Sequence, residues 1–358
     1  MTRFDDTTTT RLTRTFQTAP AAVPRENTAK YLDSGLRAEG FERPDWLVPD
    51  LEDGTAPDMK AEALDNVVDR LPGADFAGEV WPRVEWSYAD ERLRQRGAEQ
   101  IRTLVREVGE HVSGVVVPKV GRVEDVERAV RVVADAEADA GRPDGSVRLA
   151  VIVESGRAVS DLREIARLGS KDAEAGADDR LDALVFGPVD YTAELGGREF
   201  DGERPRWDGL LERLSNEASA TELVAVGGPF DRLFGERAGV RFYNGDAYAD
   251  QVEREAQVGL DGSWSLHPNQ TAQANRLHMP SEAELARDVD RIERFHAAKA
   301  EGTGAVTVDG QMVDEATFKT FANTVRTALA IAERAPTQAE TVYDAESLER
   351  ARRLRLSG

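Results

Sequence analysis

Two stretches decide the fold: residues 148–157, RLAVIVESGR, and residues 181–190, LDALVFGPVD. Each is an apolar run rich in branched and aromatic side chains that stops at a glycine-containing turn carrying a carboxylate, Glu154 in the first and Asp190 in the second. Runs of this length and composition read as strands covered on both faces, the state of a parallel sheet. Working outward, six more such runs stand at 14–20, 46–53, 79–85, 114–120, 222–229 and 263–270. Most are separated by segments with helical spacing and charged faces, such as 89–108, 123–140 and 159–168. Eight alternations in about 250 residues predict an α/β fold, a (β/α)8 TIM barrel. A doubly wound open sheet is the competing architecture, but its glycine-rich first turn is not found in Ala19-Pro20-Ala21-Ala22.

After Pro280 the pattern changes to two helix-like stretches, 281–300 and 315–334, around a turn-rich piece at 302–314. Residues 1–280 are therefore expected to form the barrel, and 281–358 a mainly helical extension. The first dozen and last ten residues are expected to be loosely ordered.

The 358-residue chain carries a net charge of −21, which excludes nucleic acid and anionic membranes as partners. Only six of its 46 basic residues are lysine. Such a surface suits concentrated salt, where the Debye length falls to roughly 3 Å at 1 M and carboxylate repulsion is screened; a GC-rich genome is the plainer reason for favouring arginine. With no cysteine, disulfides and thiolate metal sites are excluded. No apolar run approaches the roughly 18–20 residues of a membrane span, and the N-terminus lacks a secretory h-region. A cytoplasmic protein is the expectation.

Polar groups gather where the apolar runs end, which is where barrel active sites sit. A glutamate closing a buried strand costs free energy unless a cation or hydrogen bonds meet it. Neighbouring strands lie roughly 4.8 Å apart, so Glu154 and Asp190 could share one metal. Oxygen-only ligation with open positions suits Mg²⁺ (or Mn²⁺). The structural alternative is that each carboxylate caps the helix that follows it, with Asp190 an ordinary N-cap before Tyr191.

Arg83 in Trp81-Pro82-Arg83-Val84 could fix a carboxylate or stabilise an enolate oxygen, or merely pair with Glu52, Asp53 or Glu85. Asp50, Glu52 and Asp53 exceed what one strand end needs, so some are expected behind the metal or its waters. Lys119 could form a Schiff base, but an ion pair with these acids is favoured. His267 is expected to hydrogen-bond and shape the site. The glycine turns at 196–197, 227–228 and 259–262 either admit a ligand to the backbone or simply turn the chain.

Taken in order, these segments resemble the citrate lyase β-subunit-like branch of the HpcH/HpaI aldolase family, which includes malyl-CoA, β-methylmalyl-CoA and citramalyl-CoA lyases. The matching elements run from Asp50-Leu51-Glu52-Asp53-Gly54 through Pro82-Arg83-Val84, Val117-Pro118-Lys119, Glu154-Ser155-Gly156-Arg157, Phe186-Gly187-Pro188-Val189-Asp190 and His267-Pro268-Asn269-Gln270 to Asp309-Gly310-Gln311-Met312-Val313-Asp314. The resemblance implies a barrel, Mg²⁺, CoA thioesters as substrates, and homotrimers or homohexamers. It implies that Glu154 and Asp190 bind the metal and that Arg83 contacts the 2-oxoacid and the enolate oxygen. Gly187 and Pro188 fall at the substrate, and Glu52, Asp53 and Lys119 behind the site. Asp314 resembles a carboxylate lent to a neighbouring subunit's site, with Met312 and Val313 buried at that contact; the plainer alternative is that it caps the helix beginning near Glu315. Arg25 and Lys30 fall where the family's first loop meets the CoA nucleotide.

Three departures bear on substrate choice: Glu85 where the family often has Asn, Gly227 where an acid is common, and Arg14-Thr15-Phe16-Gln17 in the first strand. The implied activity is reversible cleavage of malyl-CoA or β-methylmalyl-CoA to glyoxylate and acetyl-CoA or propionyl-CoA. The alternatives are malate synthase, citramalyl-CoA lyase, a CoA-independent oxoacid aldolase and an inactive binding module.

Overall fold

The computed structural model describes residues 11–169, 180–198, 206–237, 239–302, 305–308 and 310–356. The chain divides into two compact units, Thr13–Asn275 and a second one from Arg276 onward. All eight apolar runs contain a strand, though shorter than the run itself. These are β1 (Thr15–Pro20), β2 (Trp46–Asp50), β3 (Glu79–Val80), β4 (Gly114–Val117), β5 (Arg148–Val153), β6 (Leu181–Phe186), β7 (Val224–Val226) and, after a hairpin of β8 (Phe234–Arg237) and β9 (Val240–Tyr243), β10 (Ser263–Ser265).

They form two four-stranded parallel sheets, ordered β10-β1-β2-β3 and β4-β5-β6-β7. Isolated parallel bridges continue the pairing beyond them: Arg83 bridges Asp50 on one side and Val116 on the other, and Val226 bridges Gly262 ahead of β10. The fold is therefore α/β with parallel sheets, and the two-residue period of the strands divides its core in two. One cluster takes Phe16, Trp46, Val48, Trp81, Val116, Ala150, Ile152, Ala183, Val185, Val226 and Trp264. The alternate residues Leu149, Val151 and Val153 pack into the other, with helix residues such as Ile101, Val133 and Ile165. At the amino ends of β1 and β2, Arg14 and Asp45 form a buried ion pair at 2.8 Å.

Helices Glu91–Val108 and Val123–Asp139 begin and end close to expectation. The segment expected as one helix at 159–168 is two short ones, Gly156–Ser160 and Leu162–Arg167, broken at Asp161. The hairpin β8–β9 was not expected, because its alternating polar and apolar residues are short and followed directly by helical spacing.

In the second unit, helices Glu282–Ala300 and Glu315–Arg334 pack through Phe295 and Phe318, whose rings lie 5.4 Å apart. The turn-rich piece is a small hairpin, β11 (Val306–Val308) with β12 (Gln311–Val313). Helix Ala345–Arg353 runs into the last ten residues, so that 349–353 are helical where looser order was expected, because Leu348 and Ala351 are buried; most of the first dozen residues lie outside the described ones. Among the described residues no helix is long and apolar enough to cross a membrane.

Candidate active site

The segments that follow β3, β4, β5 and β6 meet around a cleft of about 350 Å³ lined by Lys119, Glu154, Ser155, Asp190 and Glu194, with Ser87, Tyr88, Ala89 and Ala193. A second hollow, of about 320 Å³, lies between helices Glu91–Val108 and Val123–Asp139 and holds none of the candidate residues.

Glu154 follows β5 directly and is buried. Its Oε1 accepts a 2.7 Å hydrogen bond from the Lys119 N–H. That N–H is aimed by a left-handed backbone at Lys119 (φ 49°), a conformation costly for a non-glycine residue and typical of built sites. Burial, then the nearby Asp190 carboxylate, pushes the Glu154 carboxyl up to about 8. Gly187 makes room for it: a Cβ there would lie 2.4 Å from Glu154 Oε2. Glycine at 187 is thus required by the carboxylate, while Pro188 packs where Gly228 leaves space, 2.5 Å from where a Cβ would stand.

Neither carboxylate is a helix cap. Ser155 caps the helix after Glu154, its Oγ accepting from the Ala158 N–H at 3.0 Å. The helix Pro188–Glu194 starts two residues before Asp190, with Gly187 at its N-cap, so Asp190 stands in the first turn. Among the described residues no side-chain cation pairs with either acid.

The acids of the second strand are treated differently. Asp50 accepts from Arg83 Nε at 2.8 Å and Nη2 at 2.5 Å, and from the N–H groups of Glu52 and Gly54 at 2.9 and 2.8 Å. Sequence reasoning named Glu52, Asp53 or Glu85 as Arg83's partner; the principal one is Asp50, with Glu52 at 3.4 Å from Nη1. Burial would lower the Arg83 pKa, but Asp50 holds it well above its usual value. Lys119 Nζ contacts Glu52 and lies 2.6 Å from Asp53, which keeps the ammonium charged despite partial burial. Glu52 is raised by burial even so, while Asp53 is held low by Lys119 against its own burial.

The remaining candidates fall elsewhere. His267 Nδ1 accepts from the Asn269 N–H at 3.1 Å, and its ring lies beside Phe234 and Tyr243. Arg25 and Lys30 are exposed and, among the described residues, pair with no carboxylate. In the second unit Asp314 caps helix Glu315–Arg334, accepting from the Ala316 and Thr317 N–H groups at 3.1 and 2.9 Å and from the Thr317 hydroxyl at 3.0 Å. These bonds hold its carboxyl below the usual range. Val313 is already buried in its own unit, so of the apolar pair expected at a subunit contact only Met312, 65% exposed, is available. Asp309 lies outside the described residues.

Two of the sequence departures point away from the cleft. Glu85 is held by Lys60 at 2.9 Å and Gln100 at 3.2 Å. A Cβ at Gly227 would meet the buried carboxyl of Glu255 at 2.1 Å. Sequence reasoning missed Tyr88 and Glu194 in the cleft wall, since neither closes an apolar run; only the four-residue spacing of Glu194 from Asp190 hints at a shared helix face.

The sequence pattern of the HpcH/HpaI aldolase/citrate lyase family matches residues 36–268. The chain belongs to this family of carbon–carbon lyases. It is 61% identical over 349 residues, 97% of this chain and 99% of the relative, to an L-malyl-CoA/β-methylmalyl-CoA lyase of Haloarcula marismortui. A malate synthase of Haloferax volcanii is 35% identical over 75% of this chain and 60% of its own length. A solved Haloferax volcanii malate synthase, in a magnesium/glyoxylate complex, superposes with a TM-score of 0.69 at 29% identity, covering 96% of this chain and 99% of that one.

Proposed function

We propose that this chain is a Mg²⁺-dependent lyase that reversibly cleaves malyl-CoA or β-methylmalyl-CoA to glyoxylate and acetyl-CoA or propionyl-CoA. The carrying observation is the 61% identity across 97% of the chain to a lyase of that name. Malate synthase is the second reading, at 35% identity over a shorter match. The parallel ladders, the bridges linking both pairs of sheet ends and an inner cluster drawn from seven of the eight parallel strands, with Trp81 just past β3, support a closed (β/α)8 barrel.

A divalent cation fits the cleft on the chemistry of its lining. A buried carboxyl with one hydrogen bond, raised to about 8 and repelled by a second acid, keeps its proton at neutral pH unless a cation joins the pair and favours the ionised form. Glu154 and Asp190 would hold Mg²⁺ or Mn²⁺, which when bound supplies Lewis-acid polarisation of the oxoacid carbonyl. Arg83, immobilised by Asp50 through Nε and Nη2 and permanently charged, would stabilise the developing enolate oxygen. Glu52, Asp53 and Lys119 keep Arg83 and the Lys119 N–H in register with Glu154. Gly187 and Pro188 edge the space for the oxoacid. Exposed and unpaired with acids, Arg25 and Lys30 suit the phosphates of CoA.

We assign the base that takes the α-proton of the acyl group to Asp314, lent by segment 281–358 of a neighbouring subunit in a cytoplasmic homotrimer or homohexamer. The hydrogen bonds that cap its helix keep the carboxylate ionised and at the same time weaken it as a base.

Incubation with glyoxylate, Mg²⁺ and acetyl-CoA or propionyl-CoA tests the activity. An intact thioester adduct supports the lyase; free thiol with malate means synthase; no turnover refutes both. For Asp314, the inactive variants Asp314→Ala and Glu154→Gln are mixed. Activity regained on subunit exchange supports a shared site, and none despite proven exchange overturns it.

A further inference from the structure

The cleft has two unlike sides. Lys119, Glu154 and Asp190 make one side charged, suited to a cation and an oxoacid carboxylate. Tyr88, Ala89 and Ala193 also line it, and their ring and methyl groups are its apolar part. Tyr88 belongs to a surface loop, yet it is held from every direction. Arg94 donates to the carbonyls of Ser87, at 2.8 Å, and of Tyr88. The Tyr88 N–H donates to the Lys119 carbonyl at 2.9 Å. A Cβ at Gly121 would stand 2.6 Å from the ring, so glycine there lets the ring settle. Arg157 lies 5.0 Å over its face. Its hydroxyl donates to Glu194 Oε2 at 3.1 Å, and the Gly156 N–H donates to Glu194 Oε1 at 2.9 Å. Glu194 stands one helical turn beyond Asp190, and Gly156 two residues after Glu154, so the Tyr88 loop is tied to both acid-bearing turns.

A tyrosine needing only to cover surface would not be fixed at ring, backbone and hydroxyl together. We propose that the Tyr88–Glu194 pair is a specificity wall: with Ala89 and Ala193 it meets the alkyl substituent on the α-carbon of the thioester and sets how large that substituent can be. Tyr88 touches the substrate in this account, and Glu194 is a positioning residue that acts through it. The inference rests on the lyase reading.

The test compares kcat/KM for acetyl-, propionyl- and butyryl-CoA with glyoxylate. One methylene in a fitted apolar pocket is worth roughly 10–200-fold. Tyr88→Ala should therefore raise the butyryl-to-acetyl ratio by about tenfold or more. Tyr88→Phe and Glu194→Ala, which keep the ring but release it, should shift the same ratio by a smaller and mutually similar factor. Glu194→Gln, which retains an acceptor, should stay near the parent. A ratio within about twofold of the parent in both alanine variants, with acetyl-CoA turnover retained, would overturn the wall. Should Tyr88→Ala fail to fold, Tyr88→Phe and Glu194→Ala decide by the same criterion. A parent inactive with every thioester would refute the lyase reading and this wall with it, an outcome distinct from an unchanged ratio in active variants.

Discussion

Carboxylates crowd two neighbouring sets of strand ends, and the fold treats them in opposite ways. At the end of the second strand, Asp50 is locked to Arg83 by two parallel hydrogen bonds and receives two backbone N–H groups, while Glu52 and Asp53 share Lys119. At the ends of the fifth and sixth strands, Glu154 has one N–H and lies near Asp190, and among the described residues neither forms an ion pair, Arg83 acting on Glu154 only from a distance. The first group is largely neutralised, with two cations among three carboxylates, and holds the frame. The second is left short of positive charge, which a well-packed protein tolerates only where something else supplies it. The difference separates supporting acids from ligand-binding acids more sharply than their number does.

The largest expected effect comes from breaking the neutralised group. Asp50→Ala would leave the Arg83 guanidinium buried without its principal partner, a loss of about 3–5 kcal/mol, read from urea or thermal unfolding. A loss below about 1 kcal/mol would mean that Glu52 can take over, and the contrast between the two acid groups would weaken.

Breaking the other group should spare the fold and remove the ion. Glu154→Gln and Asp190→Asn are each expected to lower Mg²⁺ affinity more than 100-fold (about 2.7 kcal/mol) without lowering the melting temperature of the metal-free protein. Calorimetric titration reads the first quantity and a melting curve the second. Parent-like Mg²⁺ binding in both variants would put the cation elsewhere.

Glu255 sharpens the comparison because it is buried outside the cleft lining. It accepts from Ser263 at 2.5 Å and Gln251 at 2.9 Å, and burial pushes it up to about 7. A raised carboxyl binds its proton more tightly folded than unfolded. Its contribution is therefore most favourable below the unfolded value near 4.5 and is lost as pH rises to about 7. Glu255→Gln should gain about 1 kcal/mol over the parent at pH 8, part of the relief being offset by disturbed hydrogen bonds, and nothing at pH 4. It should leave Mg²⁺ affinity untouched; a fall there would show that burial alone, rather than placement in the cleft, accounts for Glu154.

The smallest effect per charge, spread over the whole surface, is that of salt. With a net charge of −21, the melting temperature should climb between 0.1 and 3 M KCl, concentrations over which the Debye length falls from about 10 Å to under about 3 Å. A flat profile would refute salt adaptation and leave both acid groups as described.

Much of this was legible in the chain. The eight parallel strands were, because buried strands must be continuously apolar, and so was the neighbourhood of Glu154 and Asp190, because consecutive strands pair. The hairpin β8–β9 was not, since four-residue strands with exposed Phe234, Val240 and Phe242 carry no core signal. The Asp50–Arg83 pair was blurred by three acids in four positions, among which sequence offers no ranking.

What the sequence determined by itself is set by short-range rules: strand periodicity, the carboxylates that end apolar runs, the charge of the surface and the family motifs. What only the tertiary structure decided is how those groups are shared out. It decided that Asp50 takes Arg83, that Lys119 turns its N–H to Glu154 while its ammonium goes to Glu52 and Asp53, and that Tyr88 and Glu194 meet across 106 residues. The physical reason is that hydrogen bonds and ion pairs act over about 3 Å, and the side chains brought within that distance come from different strand ends, which only the closed set of contacts can register.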